Sequence, residues 1–402
     1  MKRSRDVEAS LAALRRGSVN LIEEAELRRK LEKAGERGLR LKFGMDPSSP
    51  DLHVGHAVVL LKLRDLQELG HTVVLIVGDA TAMVGDPSGR NKLRPQLSRE
   101  EVNTNLVTYV EQAGKLLDLE RAEVRRNSEW FDRMRFEDVL RLLGRRTVAQ
   151  TLAREDFQKR LQADVAIGLH ELVYPLMQGW DSVMVRSDVE LGGTDQLFNL
   201  LVGRDLQLQE GQAPQVVAMT PLINGTDGRK MSKSYGNAIG LTDTPGDVFG
   251  KTMRIPDEAM GTWFQLLTRL SPAEGEALLA GDPRAAKARL GWELVRLVHG
   301  EAAAEHARAE FDRVHKHKGL PEDIPTIALA LPPEGTPLTV VLRDIKLAAS
   351  SSEARRLITQ GGVRVDEEVV RDPNARLAPT KAAYLLQVGP RRFARLVTGA
   401  QG

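Results

Sequence analysis

The stretch Leu41-Lys42-Phe43-Gly44-Met45-Asp46, then Pro47-Ser48-Ser49-Pro50-Asp51, then His53-Val54-Gly55-His56, decides how this chain folds. Its first six residues read as a short strand, and the proline- and serine-rich run after them is turn chemistry. From about His53, apolar residues recur at helical spacing. Val58, Val59, Leu61, Leu63, Leu66 and Leu69 form the buried side, and Gly70 is the stop. Residues 71–77 hold a continuous apolar run, as in a strand covered on both faces of a parallel sheet. Strand, helix, strand is a βαβ unit. Later strands are expected at Val183-Met184-Val185 and at residues 215–219, with a helix beginning near Thr194 between them.

Working outward, strands that alternate with helices predict an open parallel α/β sheet. Ligands of such sheets sit beyond the carboxyl ends of the strands. Segments 46–56 and 78–90 each follow a strand and belong at that edge. Gly192-Gly193-Thr194-Asp195-Gln196 opens a helix whose N-terminus suits anions. Leu11, Leu14, Leu21, Ile22, Ala25, Leu27 and Leu31 read as lead-in helices. From about residue 245 to residue 330 strands are expected to disappear. There Phe249, Met253, Trp263, Leu266, Leu290 and Leu294 recur at helical spacing, as core. Three prolines and a glycine in residues 331–337 predict a semi-rigid linker. A helix over 351–360, Gly361-Gly362 and the alternating strand Val363-Arg364-Val365-Asp366 follow. The expected fold is α/β: a Rossmann-like parallel-sheet domain (1–226), a helical domain (227–330), and a small α+β module behind its linker (331–402).

The 402 residues are too many for one core. No apolar run approaches the length of a membrane span, and the charged first residues do not read as a secretory signal. With zero cysteines the chain has no disulfide, no thiolate zinc site and no cysteine nucleophile, and a cytoplasmic protein is expected. Net charge is +2, but residues 337–402 carry eleven Lys and Arg against six Asp and Glu. A basic end on a near-neutral body suits a polyanionic partner, or simply a solvated arginine-rich face.

Two motifs carry chemistry. His53 and His56 lie at i, i+3, and Lys230-Met231-Ser232-Lys233-Ser234 places two ammonium groups at the same spacing in a glycine-flanked loop. Phosphates are stabilised by positive charge and donors placed in advance. Singly, each motif is weak: a histidine at a helix start is often a cap, and Lys/Ser loops are common in solvent. Together they point to a site for ATP phosphates.

These two motifs resemble the markers of class I aminoacyl-tRNA synthetases. Gly85-Asp86-Pro87-Ser88-Gly89-Arg90, Tyr174-Pro175-Leu176-Met177-Gln178-Gly179-Trp180-Asp181 and the 192–196 segment narrow the resemblance to the bacterial tyrosyl-tRNA synthetases. Ser352-Glu353-Ala354-Arg355-Arg356-Leu357-Ile358 and Gly361-Gly362-Val363-Arg364-Val365 are similar to the S4 RNA-binding module. The resemblance implies that L-tyrosine attacks the α-phosphorus of ATP, giving tyrosyl-adenylate, and that tRNA(Tyr) then takes the tyrosine. It implies catalytic roles for His53, His56, Lys230 and Lys233. Gly44, Asp46, Ser48, Gly55, Gly193, Asp195, Met231, Ser232 and Ser234 would line the ATP site. Asp86, Tyr174, Gln178 and Gln196 would hold the amino acid, with Asp181 accepting from the phenol. Arg355, Arg356 and Arg364 would touch RNA, although a folding role for Arg355 fits as well. A homodimer is implied, with Mg²⁺ accompanying ATP and no protein metal site.

Lys42 departs from the pattern, standing where bacterial members have a second tyrosine on the phenol. It could act through water or snorkel away. The competing readings are a tryptophanyl-tRNA synthetase, an RNA-binding relative without catalysis, and a small nucleotidyltransferase, for which the helical domain and basic end would be surplus. Asp181 and segment 85–90 argue against the first, and the intact histidines and lysines against the second.

Overall fold

The structure is a computed structural model and describes residues 6–88, 97–232, 235–316, 324–389 and 392–398. The chain forms two compact units, Met1–Arg308 and Ala309–Gly402.

The first unit is built on a six-stranded sheet: β1 (Asn20–Ile22), β2 (Arg40–Met45), β3 (Thr72–Val77), β4 (Ala122–Arg126), β5 (Val189–Gly193) and β6 (Val216–Thr220), in the order β1-β6-β5-β2-β3-β4. From β6 to β4 every neighbouring pair is parallel. Chain order therefore runs outward from β2 to β4 on one side, and β5 and β6 lie on the other. The switch falls between β2 and β5, where a crevice opens at the carboxyl ends of both. Val73 to Val77 are all buried, as strands covered on both faces require.

The helices woven through this sheet are α1 (Val7–Arg15), α2 (Glu24–Ala34), α3 (Val54–Glu68), α4 (Asp79–Val84), α5 (Arg99–Gly114), α6 (Ser128–Phe131), α7 (Phe136–Leu143), α8 (Val148–Leu152), α9 (Glu155–Gln162), α10 (Leu169–Val185) and α11 (Leu197–Gln209). Then come α12 (Pro245–Thr252), α13 (Met260–Leu267), α14 (Pro272–Leu279), α15 (Pro283–His299) and α16 (Glu301–Lys316). Trp263, Phe249, Leu290 and Leu294 are buried among α12 to α15. Arg269 pairs with Asp65 and Glu68 of α3, tying these helices to the sheet.

Four sequence expectations are corrected, the last of them in the second unit. Val183-Met184-Val185 is the last turn of α10, not a strand: Val183 packs with Val202 and Leu206 of α11, Val185 with Val74 and Ile76 of β3, and Met184 is exposed. The helix ends at Arg186 in the left-handed region, and the strand starts three residues later. Leu21 and Ile22 lie not in a lead-in helix but on β1, which pairs antiparallel with β6. Gly17, at φ +67°, has already turned the chain out of α1. Strands also return before residue 330, as β7 (Thr326–Ala328).

In the second unit β7 runs parallel to β13 (Arg392–Val397) in a sheet completed by β9 (Val363–Val365), β10 (Glu368–Val370) and β12 (Ala383–Val388), and β8 (Thr336–Pro337) pairs with β11 (Arg376–Leu377). α17 (Leu338–Asp344) and α18 (Ser351–Thr359) pack on Leu386, Val388 and Leu396. Leu331, expected in the linker, belongs to this core.

Candidate active site

Each end of the crevice is shaped by local chain chemistry. His53 caps α3: its Nδ1 accepts from the Gly55 N–H at 3.1 Å, while the His53 N–H donates to Nδ1 of His56 at 3.2 Å. A neutral imidazole that accepts at Nδ1 carries its proton on Nε2. The cap thus sets both rings as Nε2–H donors, with centroids 4.1 Å apart. Gly55 is needed for this: a Cβ there would lie 2.8 Å from the His53 ring. Gly78, after β3, is forced in the same way, since a Cβ would come within 2.1 Å of Asp46 Oδ1.

The Lys230 segment is tied to the same helix start. Val54 N–H donates to the Ile239 carbonyl and Leu241 N–H to Leu52, so the chain beyond the lysines runs antiparallel to the histidine motif. Buried Asn237 secures the loop itself. Its amide donates to Asp227 at 2.7 Å and to the Lys230 carbonyl at 3.1 Å, and its Oδ1 accepts from Ser232 N–H at 2.8 Å. These donors and Arg229 hold the Asp227 carboxyl down at about 2. Lys230 Nζ sits 3.1 Å from Asp195 Oδ2. Lys233 and Ser234, like Gly89 and Arg90, lie outside the described residues.

One cavity of about 320 Å³ takes in both ends. Its lining contains His53, His56, Lys230, Met231, Gly44, Asp46, Ser48, Gly55, Gly193 and Asp195 on one side, and Asp86, Tyr174, Gln178, Asp181 and Gln196 on the other. Ser232 lies beside the lining rather than in it. Tyr174 Oη donates to Asp46 Oδ2 at 2.8 Å. Burial and the surrounding carboxylates push that phenol well above its usual value. Gln196 donates to Asp86 at 2.8 Å, and Asn199 donates to both Gln178 and Gln196. Arg154, almost fully buried, reaches Ser88 and Asn199 from behind.

Asp181 is 3 % exposed. It accepts from Trp130 Nε1 at 3.0 Å and from Asn127 Nδ2 at 3.4 Å. Burial pushes its carboxyl up to about 7, against the pull of Lys42, Trp130 and Asn127. Asn127, Trp130, Arg154, Asn199 and Asn237 are contributors the sequence did not reveal. They have no motif and act only through contacts made by folding. Lys42 neither snorkels nor meets solvent: it is buried against Glu190. In the second unit Arg355 and Arg356 are exposed on α18, and exposed Arg364 donates to the Glu367 carbonyl at 3.1 Å.

Residues 33–316 match the family of class I tRNA synthetases (W and Y), and residues 336–381 match the S4 domain. The chain belongs to the class I tRNA synthetases of this tryptophan and tyrosine group, and is an enzyme that joins an amino acid to tRNA. Similar relatives include tyrosine–tRNA ligases. The chain is 47% identical over 399 residues to the tyrosine–tRNA ligase of Thermotoga maritima, covering 98% of both chains. It is 48% identical over 398 residues to that of Aromatoleum aromaticum, covering 98% of this chain and 99% of the other. A C-terminally truncated mitochondrial tyrosyl-tRNA synthetase of Aspergillus nidulans superposes with TM-score 0.65 at 25% identity, over 76% of this chain and 94% of that one.

Proposed function

We propose that the cavity divides the work of a tyrosine–tRNA ligase between its two ends. The enzyme activates L-tyrosine with ATP and passes it to the 3′ end of tRNA(Tyr). The observation that carries the division of labour is a single cavity lined by both the imidazole pair and the Asp181 carboxylate. At one end Asp86, Gln178 and Tyr174 surround the α-ammonium, while Asp181 accepts the phenolic hydrogen. Phenylalanine brings no donor to Asp181 and leaves its cavity side one hydrogen bond short, which disfavours it; tyrosyl-tRNA synthetases are the familiar example of this effect. The tyrosine carboxylate then faces the α-phosphorus. It attacks, an oxygen–phosphorus bond forms, and pyrophosphate leaves with the bonding electrons.

No protein nucleophile is needed, so catalysis is positioning and charge stabilisation. His53 and His56 donate from Nε2 to phosphate oxygens. Lys230 leaves Asp195 for the departing pyrophosphate, and Lys233 joins it from the same loop. Asp195, Gly193 and Gly44 line the nucleoside. ATP brings Mg²⁺ as part of the substrate. Among the described residues no cluster of three His, Cys, Asp or Glu is arranged to hold a metal ion, and magnesium is commonly ligated by phosphates and water.

Arg355, Arg356 and Arg364 bind tRNA phosphates, and segment 227–330 supports anticodon binding. A homodimer is favoured by the exposed apolar side chains of Phe136, Leu140, Val148, Leu161 and Leu169 on α7 to α10. No helix among the described residues is long and apolar enough to cross a membrane, and work on tRNA suits the cytoplasm. The test is single-turnover adenylate formation by His53→Asn. The rate constant should fall by about 100-fold, with tyrosine affinity unchanged. An unaltered rate constant would remove His53 from the chemistry.

A further inference from the structure

Lys42 and Glu190 stand directly opposite each other on β2 and β5, at the switch point of the sheet. Their side chains are 0 % and 1 % exposed, with Lys42 Nζ 2.8 Å from Glu190 Oε1. Lys42 Nζ donates hydrogen bonds to α10: to the Gln178 carbonyl at 2.8 Å and to Ser182 Oγ at 2.7 Å. Ser182 Oγ in turn donates to Glu190 Oε2 at 2.9 Å, and Gln215 Nε2 donates to the same oxygen. Lys42 is fully buried and is not among the residues lining the cavity, so it does not reach a substrate. It grips the turn of α10 from both ends, and Gln178 and Asp181 project from that turn.

Burying two charges is expensive, and an apolar pair of similar volume would often serve stability as well. A reason to keep a charged pair here is what it does to its neighbour. Asp181 is the buried carboxylate beside it. The groups facing Asp181 are Lys42 from β2, Glu190 from β5, Asn127 and Trp130 at α6, and Tyr174 on its own helix, with Asp46 beyond Tyr174. Lys42 is the cation among them.

We propose that the Lys42–Glu190 pair is the positioning element of the amino-acid pocket, clamping the 178–182 turn so that Asp181 points at the phenol. This rests on the reading of Asp181 as the phenol acceptor. Lys42 is the chief opponent of the burial that raises the Asp181 carboxyl.

The test removes both charges together, as Lys42→Met with Glu190→Gln, because either change alone strands a buried ion. Amino-acid-dependent pyrophosphate exchange by the full-length enzyme gives KM for tyrosine, phenylalanine and ATP between pH 6 and 9. The tyrosine KM should rise about tenfold, with the preference over phenylalanine falling in step. The pH below which tyrosine KM climbs should move up by about one unit. The ATP KM should stay within about twofold. A folded double variant with unchanged tyrosine KM, preference and pH profile would overturn the proposal. Should the double variant not fold, Ser182→Ala loosens the same clamp. It should raise tyrosine KM about threefold, and no change there would equally overturn it. Asp181→Asn runs in parallel. If it keeps the preference for tyrosine, the pocket reading itself is wrong. If it loses the preference while the double variant keeps it, only the role of the pair is wrong.

Discussion

Tyrosine affinity should depend on pH through one carboxylate. Asp181 is held at about 7 by burial, and its charged form is the better acceptor for the phenolic hydrogen. Binding therefore requires loss of that proton, and the apparent dissociation constant scales as one plus ten to the power of pKa minus pH. The affinity should be near its plateau at pH 8 and about tenfold weaker at pH 6. Calorimetric titration with tyrosine alone, in buffers of different ionisation enthalpy, would show the weakening. It would also show about half a proton released per tyrosine near pH 7. Phenylalanine should bind weakly at every pH without this slope, and Asp181→Asn should bind tyrosine weakly and without it. Stability should move the other way. A carboxyl raised from 3.8 to about 7 binds more protons folded than unfolded in that window, so its contribution falls as pH rises through it. The full displacement corresponds to about 4 kcal/mol as an upper bound, so Asp181→Asn should be more stable than wild type at pH 8 while binding less. Tyrosine affinity that is flat from pH 6 to 8 would refute the reasoning.

Three further outcomes follow from the geometry. Gly55→Ala should displace the His53 ring, which a Cβ would approach to 2.8 Å, and slow adenylate formation about 100-fold in single-turnover assays, while tyrosine affinity holds. Lys62 donates to the Ala13, Leu14 and Arg16 carbonyls at the end of α1. Lys62→Met should lower urea stability by about 3 kcal/mol. Because burial holds Lys62 at about 8, below 10.5, the folded state carries fewer protons between those values, and wild type should gain on the variant as pH rises through that window. Arg355→Ala with Arg356→Ala should weaken tRNA binding and flatten its salt dependence in filter-binding assays, leaving tyrosine-driven exchange intact.

The βαβ unit was legible because its signals are local: an apolar run in β3, a 3.6-residue period in α3, a glycine at its end. The paired histidines and the Lys230 segment were legible as spacings. Val183-Met184-Val185 misled because three apolar residues fit a short strand or the buried stripe of a helix equally, and only packing against α11 and β3 decides. β7 is three residues long and holds its place through pairing with β13, which no local pattern reveals. Lys42 was the hardest to read. Its partner, Glu190, is far along the chain, and the two meet only once the β2–β5 register is set. Asn127 and Trp130 reach Asp181 by the same non-local route.

Pyrophosphate exchange into ATP, measured with each of the twenty amino acids and without tRNA, tests the central claim most directly. Exchange driven by tyrosine alone is the expected result, since its phenol brings a further donor to Asp181 in the cavity. Exchange driven by tryptophan instead, or by no amino acid in a folded preparation that binds ATP, would contradict the account.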